Sequence, residues 1–279
     1  QIVGDRGAVH SLMGQGVDPH LYRPPRSDIA RLAGADILFY NGLKLEPQME
    51  ESLDRLAAAG RPVIAVGERL DPALLLSPVE FAGHSDPHLW MDVALWRRAT
   101  EAARDALIAF DPAGAETYAA NAAAYLEKLT ALDRFADRAL ASVPPSARVL
   151  VTAHDAFNYF GRAYGFEVIG IQGISTESEA GLRRIEELVD LLVERRIAAV
   201  FVETSVSDRN VRALIAGAAA RGHRMSIGGA LYSDAMGAPG TYEGTYIGMI
   251  DHNVTTIAAA LGGEVSLRGM TGQLAALAD

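Results

Sequence analysis

The chain has 279 residues, 49% of them hydrophobic, so it can bury a sizeable core as one large domain or two of ordinary size. Its net charge of −10 argues against a nucleic-acid partner, because phosphate binding requires a basic surface. The absence of cysteine excludes disulfides and thiolate metal sites. No apolar run reaches the ~18 residues of a membrane span. Since Gln1 is not an initiator, we expect a processed or trimmed chain.

The first third of the chain predicts an α/β unit. Continuous apolar runs and their breaks predict strands at 7–13, 36–40 and 61–66. Helical patterns lie between them at 27–33, with Ser27 as N-cap, and at 46–59. Strand, helix and strand at this spacing indicate a βαβ unit with a parallel sheet.

Two helices are predicted in the middle of the chain. Residues 93–110 are amphipathic and end at Asp111-Pro112, and residues 113–143 remain helical in pattern up to Pro144-Pro145. A helix of roughly thirty residues is about 45 Å long, which is unusual in a globular domain. We expect this helix to bridge two lobes.

The last part of the chain repeats the α/β alternation. The pattern predicts strands at 148–153, 167–171, 198–202 and 224–227, and helices at 156–164, 178–196, 208–221 and 245–261. The predicted fold is therefore α/β, with two lobes that each hold a mainly parallel sheet flanked by helices. We expect an N-terminal lobe at 1–111, one long rigid linking helix at 112–143, and a C-terminal lobe at 144–279.

Two Asp-Pro-His-Leu-aromatic pentads stand out, at residues 18–22 and 86–90. Proline fixes its own φ and keeps the preceding residue out of the helical region, so each histidine is presented from a stiff, non-helical turn. A side chain held in this way suits metal ligation. The alternative is that these are two loop histidines in similar turns.

Further polar residues follow predicted strands. His20 follows the first strand, His154 and Glu203 follow the strands at 148–153 and 198–202, and Asp234 lies in the loop after the strand near 227. Ligands of open α/β sheets bind beyond the carboxyl ends of the strands, so residues from both lobes would meet in a cleft. Three imidazoles and one carboxylate would form a four-coordinate shell suited to Zn²⁺.

Five segments resemble one family over essentially the whole chain: GVDPHLYRPPRSD, HSDPHLWMDV, TAHDAFNYFGRAYG, GISTESEAG and LYSDAMGAPGTYEGTYIGM. They are similar to the metal-binding receptors of zinc and manganese ABC importers. The resemblance implies two α/β lobes joined by one long rigid helix, with one metal ion between them. It implies as metal ligands His20, His88, His154 and Asp234.

The resemblance also implies a function. The protein would be an extracytoplasmic or periplasmic solute-binding protein, with a lipid-anchored precursor as one form, that binds one Zn²⁺ or Mn²⁺ per chain. Its partner would be the membrane permease of an ABC importer, and we expect a monomer that is not an enzyme.

The sequence departs from the family pattern in two places. We expect the N-terminal lobe to lack the strand and helix that usually precede the segment matched by residues 2–9, and the sequence has no histidine-rich loop in the first lobe. The missing loop weakens a zinc-only assignment. Manganese-specialised members often carry glutamate where His154 stands, which weakens a manganese-only assignment.

The remaining polar and aromatic residues receive more modest roles. We expect Glu203 to hydrogen-bond a ligand, and Asp18, Asp86 and Asp92 to cap backbone N–H groups. His84 is a candidate outer or transient ligand, and His10 is interpreted as a strand residue that faces a neighbour. His223 and His252 are interpreted as surface or packing residues. Three aromatic residues either wall off the cleft or belong to the core: Tyr22, Trp90 and Phe157.

The alternatives to transport are a metallohydrolase, a nucleotide-binding Rossmann enzyme and a metal-binding adhesin. A metallohydrolase keeps an open metal position for water, whereas four protein ligands close the shell, and the sequence has neither G-x-S-x-G nor H-E-x-x-H. A nucleotide-binding Rossmann enzyme needs a glycine fingerprint that none of the strand-to-helix turns contains. A metal-binding adhesin stays open beside transport.

Overall fold

A computed structural model describes residues 1–81 and 83–275 of the chain. By their contacts, the residues divide into two compact units: unit 1 comprises 1–13 and 19–131, and unit 2 comprises 14–18 and 132–279. The helices are α1 (Arg26–Gly34), α2 (Glu50–Ala58), α3 (Val93–Phe110), α4 (Ala115–Ala141), α5 (Asn158–Tyr164), α6 (Leu182–Glu194), α7 (Arg209–Ala220) and α8 (Tyr246–Ala260). The strands are β1 (Leu38–Tyr40), β2 (Val63–Ala65), β3 (Val149–Thr152), β4 (Glu167–Gly170), β5 (Ala199–Glu203) and β6 (Ser226–Leu231).

Unit 1 contains a short parallel sheet. β1 pairs with β2 in a register that places Leu38 opposite Val63, as expected for the βαβ unit formed with α2. Buried side chains of α1, β1, α2 and the residue that precedes α2 form one apolar core: Leu32, Leu38, Met49 and Leu53. The α/β class predicted for this part of the chain is confirmed.

Three details predicted for unit 1 are wrong. Residues 7–13 form no strand but an irregular segment, so His20 follows no strand. Ser27 lies inside α1, whose N-cap is Pro25 without a side-chain capping bond. α2 begins at Glu50 and not at residue 46, because Pro47 keeps the residue before it out of the helical region.

The two central helices agree with the sequence. α3 has the predicted bounds, and the Asp92 carboxylate caps it by accepting the N–H of Leu95. A 3₁₀ turn at Pro112–Gly114 precedes α4, which is 27 residues long. The division between the two units falls inside α4, after Ala131.

Unit 2 contains two parallel strand pairs, β3 with β4 and β5 with β6. β3 also contacts β5, and α6 and α7 pack against each other. One apolar core joins these elements, and its fully buried members include Val151, Leu192, Val200, Val211 and Leu214. This core fixes the ends of β3 and β5, from which functional side chains project.

β6 is longer than predicted, because two glycines inside it read as the start of a loop. A Cβ on Gly228 would lie 2.8 Å from the Phe201 ring, and one on Gly229 would lie 2.4 Å from the Thr256 side chain. Gly229 also has a φ of +150°. The glycines therefore allow β6 to lie close to β5 and α8.

Within residues 1–81 and 83–275, no helix is both long enough and apolar enough to cross a membrane.

Candidate metal centre

Unit 1 brings His20 and His88 together. His20 lies in the turn at residues 19–21, and His88 immediately precedes a 3₁₀ turn at Leu89–Met91, so both are presented from non-helical backbone as predicted. Both residues are fully buried. Their Nε2 atoms are 3.3 Å apart, and their ring centroids are separated by 5.4 Å. One nitrogen of each imidazole ring is therefore adjacent to the other.

Asp86 orients the ring of His88. Its Oδ1 atom accepts the backbone N–H of His88 at 3.0 Å and lies 2.8 Å from His88 Nδ1. An ionised carboxylate only accepts, so the proton of the neutral ring is on Nδ1 and Nε2 carries the lone pair. The capping role predicted for Asp86 is confirmed, but the bond to the ring was not predicted.

Trp90 covers the His88 ring from one side. The two rings meet edge to face with centroids 5.3 Å apart, and Trp90 is 9% exposed. An apolar neighbour excludes water from the imidazole and strengthens its interaction with a charged ligand. The sequence left two roles for Trp90, shielding of the site or membership of the core, and this contact favours shielding.

Unit 2 places His154 beside Glu203, as predicted. His154 lies two residues after β3, and Glu203 is the last residue of β5. One carboxylate oxygen of Glu203 accepts the backbone N–H of His154 at 2.9 Å, and the other lies 2.6 Å from His154 Nδ1. The carboxylate thus fixes both the backbone and the ring of His154.

Asp234 is the second candidate donor in unit 2, and its Oδ2 atom lies 3.2 Å from His154 Nε2. It follows β6 by three residues, close to the predicted position. α8 holds this segment through Asn253, whose side chain accepts the N–H of Tyr232 at 2.9 Å and donates to its carbonyl at 2.7 Å. The backbone two residues before Asp234 is therefore fixed in both directions.

The charge around His154 favours a cation. Burial lowers the pKa of His154, but the carboxylates of Glu203 and Asp234 outweigh this effect, and the pKa stands well above the usual 6.5. The site in unit 2 therefore stabilises positive charge at the imidazole, whether a proton or a metal ion supplies it.

Other histidines have different surroundings. His10 and His84 are exposed, and the His84 ring contacts Phe81. His223 and His252 each place Nε2 within hydrogen-bonding distance of a backbone carbonyl, that of Ile197 at 2.6 Å and that of Ala230 at 2.9 Å. The surface or packing roles predicted for these two residues are confirmed.

Two aromatic residues and one aspartate that the sequence singled out make contacts away from the histidine rings. Tyr22 packs against the core of unit 1 and donates to Asp28, and Phe157 is buried edge to face with Phe160, so both aromatics are core residues. Asp18 accepts a hydrogen bond from the Thr176 hydroxyl at 2.6 Å. The aspartate of the first pentad therefore bonds a residue that is distant in sequence.

Sequence reasoning missed Asn253 and the Asp86–His88 ring contact. An aspartate two residues before a histidine across a proline is a local signal for such a contact, because the turn folds the carboxylate toward the ring. Asn253 gave no signal, since nothing in the pattern of α8 indicates that its partner is Tyr232, directly after β6.

Buried imidazoles with carboxylates at Nδ1 are typical of proteins that bind a metal ion through Nε2. The family model for the periplasmic zinc-uptake complex component A matches residues 1–260. The chain belongs to this family of solute-binding proteins, and it is not an enzyme. The metallohydrolase alternative is thereby excluded.

Relatives support the same assignment over nearly the full chain. The manganese-binding lipoprotein MntA of Bacillus subtilis (strain 168) is 46% identical over 93% of this chain and 84% of its own. The zinc-binding protein TroA of Treponema pallidum (strain Nichols) is 46% identical over 92% and 83%. The metal ABC transporter substrate-binding lipoprotein FimA of Streptococcus parasanguinis is 32% identical over 93% and 84%. The solved structure of the periplasmic zinc-binding protein TroA from Treponema pallidum matches with a TM-score of 0.90 and 45% identity, over 93% of each chain.

Proposed function

We propose that this protein captures a divalent transition metal ion and delivers it to the membrane permease of an ABC importer. The metal is the cargo of the protein. Zinc is the favoured ion, and manganese binds more weakly. The relatives named above as zinc-binding, manganese-binding and ABC substrate-binding proteins support this function.

The observation that carries the proposal is the pairing of donors in each unit. Unit 1 directs two imidazole Nε2 atoms at each other, and unit 2 directs an imidazole Nε2 at a carboxylate. We propose that both pairs serve one ion, with ligands from a donor set that could hold a metal: His20, His88, His154 and Asp234. Asp86 and Glu203 hold two of the imidazoles in the ligating tautomer.

The chemistry of these donors favours zinc over manganese. Three nitrogens and one oxygen match the four-coordinate preference of Zn²⁺, whereas Mn²⁺ prefers more oxygen donors. We expect zinc to bind at least tenfold more tightly, about 1.4 kcal/mol. Four protein donors also leave no open position for a reactive water, which suits a carrier.

The proposed setting is the extracytoplasmic side of a membrane, where the protein acts as a monomer. The relatives named as lipoproteins support a lipid-anchored precursor. We propose that the helical segment 112–143 links an N-terminal lobe at 1–111 to a C-terminal lobe at 144–279. The change of unit within α4 supports this division.

Elemental analysis and calorimetry test the function together. We expect one zinc ion per chain in protein loaded with Zn²⁺, and a loss of most of the affinity in His88→Ala and His154→Ala. His223→Ala is the matched control, because this histidine hydrogen-bonds a backbone carbonyl in unit 2. Wild-type affinity in either ligand variant would refute the proposed donor set.

A competition titration at pH 7.5 tests the choice of metal. Zinc should displace bound manganese at equal free concentrations. Displacement of zinc by manganese would contradict a shell of three imidazoles and one carboxylate.

A further inference from the structure

The turn that follows β1 has an unusual backbone. Gly42, Leu43 and Lys44 have φ values of +76°, +56° and +67°. Left-handed conformation is easy for glycine but unfavourable for a residue with a side chain, because its Cβ crowds the following carbonyl oxygen. Two such residues in succession indicate that other contacts hold the turn in place.

Glu46 supplies those contacts from inside the protein. One carboxylate oxygen accepts the N–H of Asn41 at 2.9 Å, and the other accepts the N–H of Gly42 at 3.2 Å. Glu46 is only 6% exposed, and burial raises its pKa to about 7 even though these hydrogen bonds act to lower it. A buried carboxylate is a costly way to close a surface turn.

Asn41 connects the turn to the metal-binding segment. Its side-chain amide donates to the carbonyl of Pro87 at 3.0 Å, across 46 positions of sequence. Its own carbonyl accepts the N–H of Gly67 at 2.8 Å. With Glu46 on its N–H, Asn41 is held on three sides, so its amide is a fixed donor.

The Pro87 carbonyl belongs to the peptide unit that leads into His88. The N–H of that same peptide unit donates to Asp86 at 3.0 Å. Asn41 therefore holds the oxygen side of the peptide plane and Asp86 holds the nitrogen side. Because a peptide unit is planar, these two bonds together set the position from which the imidazole projects.

We propose that Asn41 and Glu46 are positioning residues for metal binding, which act through the Pro87–His88 peptide unit. The inference rests on the proposed function, since it takes His88 as a ligand. Glu46 fixes the backbone of Asn41, Asn41 fixes the carbonyl of Pro87, and His88 is thereby preorganised for the ion. Neither positioning residue contacts the metal.

The primary test measures Zn²⁺ affinity of Asn41→Ala by competition with a chromophoric chelator. Loss of a group that orients a ligand typically weakens metal binding about 10- to 100-fold, and we expect a loss in this range. Asn121→Ala is the matched control, because Asn121 also donates from its side chain to a backbone carbonyl, that of Ile2 at 3.0 Å. The control should stay within about twofold of wild type.

A double-mutant cycle separates positioning from general damage. In a His88→Ala background, Asn41→Ala should cause no further loss, because the residue it positions is gone. An equal loss in both backgrounds, or wild-type affinity in Asn41→Ala, would overturn the inference. Glu46→Gln is the second variant if Asn41→Ala does not fold, and the same outcomes apply, since glutamine cannot accept both N–H groups.

The cycle also distinguishes this inference from the function on which it rests. Weak binding in His88→Ala together with unchanged binding in Asn41→Ala would overturn the positioning role alone. A wild-type protein that binds no Zn²⁺ would overturn both proposals.

Discussion

The two units hold their histidines by different means. In unit 1, His20 and His88 come from turns, and polar contacts from Asp86 and Asn41 locate His88. In unit 2, His154 and Glu203 come from the ends of β3 and β5, which the apolar core already fixes. Strand ends thus supply geometry directly, whereas turns need side-chain bonds to acquire it.

The carboxylates in the two units illustrate this difference. Asp86 uses a single oxygen for both the N–H and the ring of His88. Glu203 uses one oxygen for the N–H of His154 and the other for its ring. The two sites should therefore respond differently when the carboxylate side chain is replaced by the corresponding amide.

The largest expected effect is a contrast between Glu203→Gln and Asp86→Asn. Glutamine at 203 loses either the bond to the N–H of His154 or the bond to its ring, whichever way the amide is turned. The reason is that an amide NH₂ group cannot accept a hydrogen bond. Asparagine at 86 keeps both bonds through its oxygen. We expect Glu203→Gln to weaken Zn²⁺ binding up to about 100-fold, and Asp86→Asn less than about tenfold. Chelator competition measures both, and equal losses would contradict the assignment of oxygens.

The second prediction concerns pH and the charge in unit 2. Because the carboxylates of Glu203 and Asp234 raise the pKa of His154 well above 6.5, the metal-free imidazole keeps its proton to a higher pH than a free histidine, and the metal must displace that proton. Affinity should therefore rise as pH increases toward that pKa, by up to about tenfold per pH unit for one proton.

Calorimetry in two buffers with different ionisation enthalpies provides the check on this prediction. Proton release on zinc binding at pH 7 should appear as a buffer-dependent enthalpy. Affinity that stays flat between pH 6 and pH 8 would mean that His154 is already neutral. The control His223→Ala should keep the wild-type slope.

The smallest expected effect lies in unit 1 and concerns stability. Burial raises the pKa of Glu46 from the usual 4.5 to about 7, so the folded state binds this proton more tightly than the unfolded state. The resulting stabilisation is fully present below pH 4.5 and is lost as pH rises through 7. From pH 6 to pH 7.5 the loss should be about 1 kcal/mol.

Urea unfolding of metal-free protein measures this change as the difference between wild type and Glu46→Gln. The difference should shrink or reverse as pH rises, because only the wild type carries the titrating group. Glu51→Gln is the control, since Glu51 is 84% exposed and pairs with Arg55 on the surface of α2. A pH-independent difference for Glu46→Gln would mean that its carboxylate does not titrate in this range.

Much of the fold could be predicted because it depends on local pattern. The bounds of α3 and the positions of β3 and β5 follow from apolar periodicity, and the strand-end rule then located His154 and Asp234. The pentads identified His20 and His88 because proline fixes backbone conformation in any context. The joint action of these four residues on one ion remains a proposal.

What could not be predicted depends on partners distant in sequence. Residues 7–13 have strand-like composition but pair with no strand in the described part of the chain. Asn41 and Pro87 are 46 positions apart, and Asn253 and Tyr232 are 21 apart, so no local pattern connects them. The early start predicted for α2 overlooked Pro47 and included Glu46, which serves the turn before the helix.

The close approach of β6 to α8 offers a way to change metal affinity by mutation. A methyl group at Gly229 would overlap the Thr256 side chain, so we expect alanine there to displace this side chain and strain the packing of α8. Because Asn253 in α8 holds the backbone that leads to Asp234, this strain would reach a proposed ligand without altering any donor atom. Paired substitutions at 229 and 256 that restore the packing to different extents would give a series of metal-ion reagents. All would have the same donor atoms, but they would differ in affinity for the metal ion.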